Sequence, residues 1–283
     1  MDLSIITVTW NSADKIAEQI RSVDLGIIGL NYEQIVIDNG STDQTVLIIE
    51  EKFKKIKLIK NKQNKGFAAA NNQGVKVSSG KYILFLNPDM KVEENSLKKI
   101  LDWMDENKDI GIAGCKLVDK NGNFNMDAAP RKFPKVWEML SMILKIHHIF
   151  PNILNNYLMK GFNSNKEQEV DSVRGSFVLI RRELVDKLGW GFDPRYFIWF
   201  EDVDICREVK RLGYKIKYTP IITCIDHVGA SFKKRGTLWK QKQFTKSMSQ
   251  YFKKWEPCYR SVWISFFRPI GIFMVYIMNK VSK

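Results

Sequence analysis

Four short apolar runs, each closing on a cluster of polar residues, constrain this chain more than anything else in it. Residues 3–9 (LSIITVT) lead into Trp10-Asn11-Ser12, and residues 34–37 (QIVI) into Asp38-Asn39-Gly40-Ser41-Thr42-Asp43. Residues 56–59 (IKLI) lead towards Asn61, and residues 82–86 (YILFL) into Asn87-Pro88-Asp89. Short apolar runs bounded by turn formers read as buried strands. Proline cannot donate to a sheet ladder, so the fourth strand is expected to stop at Pro88. Between the runs lie helical patterns. Ile16, Ile20 and Val23 follow an Asn11 or Ser12 cap, and Val46, Ile49 and Phe53 space a second helix. The Gly- and Asn-rich NKQNKGFAAANNQG is a loop running into a third. Strands alternating with helices predict an α/β fold with a Rossmann-like, mostly parallel sheet flanked by helices. Ligands of such sheets bind beyond the carboxyl ends of the strands, where the polar clusters fall.

The rest of the chain is less regular. Residues 133–162, rich in Met, Ile, Leu and aromatics, predict one or two helices and a mobile segment. Residues 173–180 (VRGSFVLI) predict a strand with Gly175 near its start, and residues 192–212 an aromatic turn joined to an amphipathic helix. Ile216 to Tyr218 and Ile221 to Ile225 read as two short strands ending in Asp226-His227. From Lys233 onward basic residues intersperse with aromatics, and residues 261–279 are strongly apolar. Arg268-Pro269 splits that run, and a helix needs about 20 apolar residues to span a bilayer. An amphipathic or partly inserted hairpin on an anionic membrane surface is therefore expected. Packing on the core, or on the second subunit of a homodimer, is the competing use.

Lys and Arg total 45 against 31 Asp and Glu, a net charge of +14. Such a balance asks for an anionic partner: nucleotide phosphate, membrane or nucleic acid. Zinc-finger spacing, an RNP motif and a basic reading helix are all missing, which argues against nucleic acid. The GxxxxGK[ST] signature is absent, so this is not a P-loop protein. A nucleotidyltransferase on a similar sheet would want a Gly-rich phosphate-gripping loop near its N-terminus, which TVTWNS does not supply. Cys115, Cys206, Cys224 and Cys258 form no CxxC pair and read as reduced thiols. The first residues, MDLSIITVTWNS, lack the basic start and long apolar stretch of a signal peptide, so cytoplasmic chemistry is expected.

Seven pieces occur in order from residue 7 to about 232: TVTWNS, VIDNGSTD, NKGFAAANNQG, LFLNPDM, RGSFVLIRRE, FDPRYFIWFEDVDICREVKRLGYKI and DHVGASF. Together they make the chain resemble the family-2 glycosyltransferases of the GT-A fold, especially the bacterial rhamnosyltransferase-like branch. The resemblance implies that residues 1–232 form a GT-A domain that binds a nucleotide sugar and catalyses transfer. Residues 233–283 would then be a basic and apolar helical tail at the membrane. The implied activity is inverting and metal-dependent, with dTDP-rhamnose the best single donor and another UDP-sugar the alternative. The implied acceptor is a lipid-linked polysaccharide or O-antigen, met by a cytoplasmic enzyme peripheral on the inner face of the cell membrane. A non-enzymatic basic protein that binds membrane or nucleic acid is the contrasting reading.

Residue by residue, a carboxylate at a strand end such as Asp38 can accept the imide N–H of uracil or thymine. The resemblance gives it that task, against the plainer use of Asp as a turn former. Thr9 and Asn11 would line the same base and ribose pocket, with Asn39 and Ser41 in the same strand-end cluster. In Asn64-Lys65-Gly66, glycine permits close backbone approach and Lys65 could face phosphate; the resemblance puts this loop beside the nucleotide, with Asn71 on the helix behind. Asp89 matches the second acidic residue of the DXD motif and Asn87 replaces the first. Hard oxygen ligands suit Mg²⁺ or Mn²⁺, whereas a cap on a helix through Leu97 and Leu101 would need no metal. His227 matches a third metal or diphosphate contact.

In Glu201-Asp202-Val203-Asp204, an inverting transfer needs one base opposite the leaving group. The resemblance assigns it to Asp202, with Glu201 in reserve and on the acceptor side. Acidic residues also suit a helix N-terminus, and in a helix Asp202 and Asp204 point apart. Trp199, with Phe197 and Phe200, either stacks on the acceptor sugar or packs in the core. Gly175 and Ser176 would lie near the donor sugar.

Overall fold

A computed structural model describes residues 1–227 and 236–281 of the chain. The end of DHVGASF, the basic run Lys233, Lys234 and Arg235, and the expected 232/233 boundary lie outside the described residues. β1 (Leu3–Thr9) pairs in parallel with β2 (Tyr32–Asp38), Thr9 opposite Asp38. β3 (Lys57–Lys60) flanks β2 and β4 (Tyr82–Leu86) flanks β1, both parallel. Helices α1 (Ile16–Gly26), α2 (Thr45–Lys52) and α3 (Phe67–Val77) make the connections. Every residue of β1 is buried because both faces of the sheet are covered. Leu3 and Ile5 enter one apolar layer, while Ile6 and Val8 enter the other.

The sheet continues through five more strands. β5 (Met90–Val92), β6 (Ile110–Val118), β7 (Gln168–Glu169), β8 (Phe177–Arg181) and β9 (Lys215–Asp226) extend it in the order β4-β8-β6-β9-β5, with β7 beside β9. Of these, β5, β6 and β7 were not foreseen from the sequence. β8 runs antiparallel to β4, Phe177 opposite Leu86. That reversal sets the start of β8 against the end of β4, where the Asn87 N–H donates to the Ser176 carbonyl at 3.0 Å. β5 is antiparallel to β9, and the His227 N–H donates to the Asp89 carbonyl at 3.1 Å.

Three expectations are corrected, and the helix expected within residues 133–162 is present. The strand foreseen over 173–180 begins at Phe177, so Gly175 and Ser176 belong to the turn before it. The two short strands over 216–225 are one strand with a bulge: partners jump from Cys115–Thr219 to Lys116–Thr223. Pro220, with no amide to donate, lies in the excess. Residues 133–162 contain α5 (Val136–Ile143) and two short 3-10 turns, Ile146–His148 and Pro151–Leu154. After α4 (Ser96–Glu106), α6 (Arg182–Leu188), α7 (Glu201–Arg211) and α8 (Thr237–Trp255), the tail is not a hairpin. It is one 24-residue helix, α9 (Cys258–Val281), with Pro269 inside it.

An interior proline costs about 3 kcal/mol relative to alanine. Burial of Ile264 before it, and of Gly271 and Val275 after it, holds the helix on both sides of the lesion. At Gly271 a Cβ would lie 2.7 Å from the Ile143 carbonyl oxygen, so α9 crosses the end of α5 where it carries no side chain. At 1.5 Å per residue α9 is about 36 Å long. By length and composition it could cross a membrane, with a mean hydropathy of 1.6 over its most apolar 18 residues.

Candidate active site

A cleft of about 300 Å³ opens at the carboxyl ends of β1, β2 and β4. Behind the wall that Asn39 and Asn64 form, Asp38 is buried, and its Oδ2 accepts from the Gly40 and Ser41 amides at 3.2 and 3.1 Å. Its Oδ1 and the Oγ1 of Thr9, its neighbour across the ladder, are buried without a hydrogen-bond partner. An unmet buried polar atom costs about 1–3 kcal/mol, which a donor from a ligand would recover. Asn11, at φ 51°, accepts from the Thr42 amide at 2.7 Å and donates its own amide to Ser41 Oγ at 2.8 Å. Asn11 and Ser41 thus tie the β1 and β2 ends together.

Asn39 and Asn64 line the cleft. The Asn39 Oδ1 accepts from the Lys65 amide at 2.9 Å and its Nδ2 donates to the Gly66 carbonyl at 3.2 Å. Gly66 has φ +90°, and a Cβ there would meet the Phe197 carbonyl at 2.7 Å. Its close approach is therefore to the chain itself, where the Phe67 amide donates to that carbonyl. Lys65 is exposed and outside the cleft lining. Asn71 is buried and donates to the Phe67 carbonyl of its own helix at 3.0 Å.

Asn87 and Asp89 line the cleft, as does Asp226. Burial pushes the Asp89 carboxyl up from its ordinary range, against the pull of its own amide, Lys15 and His227. The His227 Nε2 is buried, makes no hydrogen bond and lies 3.7 Å from the Glu18 carboxylate. Among the described residues no three His, Cys, Asp or Glu side chains gather to cage a metal ion. The donor set around Asp89 fits a hard divalent cation only when a ligand's own oxygens complete the shell.

The opposite wall carries Arg174, Gly175, Ser176, Trp199, Glu201 and Asp202. Trp199 and Phe200 precede α7 with φ of 66° and 69°, a left-handed conformation that costs non-glycine residues about 1–3 kcal/mol each. The Asp202 Oδ2 accepts from the Gly175 amide at 3.0 Å, and a Cβ on Gly175 would lie 3.4 Å from that carboxylate. Glu201 is buried and its Oε2 has no partner. Burial, then the Asp202 charge beside it, drives its carboxyl well above the ordinary range, with Arg174 pulling back. Asp204 turns the other way, to Lys254 at 2.7 Å and the Trp255 indole N–H at 2.6 Å.

Asp89 and Asp202 thus face one cleft. Thr9, Asn11, Asp38, Ser41, Lys65, Gly66, Asn71 and His227 are not in its lining. Sequence reasoning passed over Arg174, Asn125, Asp127, Asp226 and Trp239, which are in the lining. Arg174 adjoins Gly175 and Asp226 adjoins His227, so both were within reach; Trp239 lies in the stretch read as tail and gave no signal.

A sheet of this order with such a cleft defines the GT-A class of sugar-nucleotide transferases. Residues 4–189 match the family model Glycosyl transferase family 2, and the chain belongs to that family of glycosyltransferases. It is 24% identical over 242 residues to the N-acetylglucosaminyl-diphospho-decaprenol L-rhamnosyltransferase of Mycobacterium tuberculosis, covering 80% of this chain and 76% of that one. It is 29% identical over 164 residues to the minor teichoic acid biosynthesis protein GgaB of Bacillus subtilis, covering 56% of this chain. The chain spans only 18% of the length of GgaB, and 27% of an uncharacterized Sinorhizobium fredii protein that it matches along 90% of its own length. In fold it is similar to the mannosyltransferase PcManGT from Pyrobaculum calidifontis, solved with GDP-Man and Mn²⁺. The TM-score is 0.60 at 19% identity, over 89% of this chain and 63% of that one. The family match ends at residue 189, before α7, and does not reach Glu201 or Asp202.

Proposed function

We propose that this glycosyltransferase moves L-rhamnose from dTDP-rhamnose, with inversion, onto a lipid-linked polysaccharide or O-antigen acceptor. The observation that carries the reading is the placement of Asp89 and Asp202 on one cleft at the strand ends. Asp38 Oδ1 and Thr9 Oγ1 supply unmet acceptors for the base, and the rhamnosyltransferase relative supports the donor sugar. Thymine and uracil present the same imide to Asp38, so a UDP-sugar is the alternative.

Asp202 takes the proton of the acceptor hydroxyl as that oxygen attacks the anomeric carbon. The bond to the nucleoside diphosphate breaks on the opposite face. Glu201, whose burial holds its proton above the ordinary carboxyl range, donates a hydrogen bond on the acceptor side beside Trp199. Asp89, His227 and the donor's own phosphate oxygens would hold Mg²⁺ or Mn²⁺, which supplies Lewis-acid neutralisation of the leaving diphosphate. Asn39, Asn64 and Asn87 border the nucleotide, and Gly175 and Ser176 the donor sugar. The +14 charge and the apolar outer side of α9 support a cytoplasmic enzyme docked on the inner face of the membrane.

Isothermal titration with dTDP and UDP, each with Mn²⁺ and with Mg²⁺, tests the reading. Binding of dTDP or UDP that strengthens with the metal is expected, and binding of neither overturns it.

A further inference from the structure

We propose that Arg174 binds a phosphate group on the acceptor, one sugar ring away from the hydroxyl that Asp202 deprotonates. The inference rests on the glycosyltransferase reading and adds an anion site to it. Among the described residues of the cleft lining, Arg174 is the one cation beside Asp89, Asp127, Glu201, Asp202 and Asp226. Among the described residues no hydrogen bond or ion pair engages its guanidinium. Its backbone is anchored at the reacting centre, because the next residue, Gly175, donates its amide to Asp202 at 3.0 Å. A second arginine stands behind it. Arg131 and Ser172 exchange both backbone hydrogen bonds at 3.0 Å, which sets Arg131 beside the chain two residues before Arg174. Arg131 is 8% exposed, and its side chain donates to the carbonyls of Ala129, Pro130, Met126 and Asp127 at 2.7, 3.1, 3.3 and 3.0 Å. Carbonyls satisfy the donors but carry no net charge. Burial and the Arg174 charge both press the Arg131 pKa down, and the opposing pull of Asp127 and Asp202 comes without an ion pair. Neighbouring like charges disfavour each other, so an anion lodged on Arg174 stabilises both.

Two anions could meet this cation, the donor diphosphate and a phosphate on the acceptor. Electrostatics separates them. The Arg174 charge acts on Glu201, whereas the cations that act on Asp89 are Lys15 and His227. Arg174 therefore belongs to the wall of the attacking group and not to that of the departing one. Lipid carriers hold their glycans through phosphate at the anomeric carbon. A pyranose with its attacking hydroxyl at Asp202 would present that phosphate across the width of its ring, within the span of an arginine side chain rooted beside Gly175. The planar guanidinium matches two phosphate oxygens at once. Burial holds the Glu201 carboxyl toward its neutral form, so it opposes the anion less than an ionised neighbour would.

The test uses the full chain saturated with Mn²⁺ and whichever of dTDP and UDP it binds. The probes are the 1-phosphates of N-acetylglucosamine, glucose and galactose beside the matching methyl glycosides, read by isothermal titration. At least one 1-phosphate is expected to bind about tenfold more tightly than its methyl glycoside. Arg174→Ala should abolish that preference and Arg174→Lys should keep part of it, with nucleotide affinity unchanged in both. Should the alanine variant fail to fold, Arg174→Gln takes its place with the same loss expected. No preference for any 1-phosphate on a nucleotide-loaded wild type, or a preference that survives Arg174→Ala, overturns the site. Loss of nucleotide affinity in Arg174→Ala would give the cation to the donor diphosphate and also overturns it. Failure of the wild-type chain to bind dTDP or UDP would instead strike the underlying reading.

Discussion

Glu201 and Asp202 are adjacent carboxyl groups with opposite surroundings. Asp202 accepts two amides, whereas Glu201 is buried with one oxygen unmet. Two outcomes follow. Asp202→Asn keeps an oxygen for the Gly175 amide but has no basicity. Turnover is expected to fall by about 10²–10⁴-fold with donor affinity intact, measured by steady-state kinetics beside nucleotide titration; full turnover would remove Asp202 as the base. For Glu201 the raised carboxyl sets a pH dependence. Above its ordinary value of 4.5 the unfolded chain releases the proton while the folded protein holds it, so stability falls as pH rises through that window. Thermal unfolding should show Glu201→Gln gaining progressively on the wild type as pH rises above 4.5, and a difference that stays constant with pH would refute the shift. The acidity of this segment was legible in the sequence. The division of labour within it was not, because burial is a property of what packs around α7.

The elements divide in the same way. β1 to β4 were legible since each is a local apolar run with its own stop. The direction of β8 was not, because pairing direction is decided by strands far away in sequence, and it is this direction that brings Ser176 to Asn87. Lys254 makes the same point for helices. Its composition read as part of a membrane-facing tail, yet its ammonium lies 3.1, 2.7 and 2.8 Å from Asp193, Asp204 and Glu208. Burial opposes the charge on Asp193, but hydrogen bonds from Arg195 and Lys254 outweigh it and hold that carboxyl at about 2. α8 is thereby clamped to α7 just behind the cleft. Lys254→Met leaves three acidic groups without their shared cation and should cost about 3–5 kcal/mol in urea unfolding. Adding Asp204→Asn should return part of the loss, and a loss below about 1 kcal/mol would deny the clamp.

At the scale of the whole molecule, α9 is fastened along one side and bare along the other. Trp263, Phe266 and Phe273 are 51%, 60% and 63% exposed, while Ile264, Gly271 and Val275 hold the helix to the domain on both sides of Pro269. Fastened so far along its length, the helix suits lying on a bilayer better than crossing one. The wild type is expected to float with phosphatidylglycerol vesicles, less so at high salt. Phe266→Asp with Phe273→Asp should remain in the dense fraction and still bind nucleotide; equal flotation of both proteins would exclude α9 as the contact. The seam between β4 and β8 reaches further. One hydrogen bond joins Asn87 to Ser176 and another joins Gly175 to Asp202, so a strut of a few residues runs from the Asp89 turn to α7. On the proposed in-line displacement, that strut would set the spacing between the attacking and departing atoms, so the strand ladder would act as the gauge.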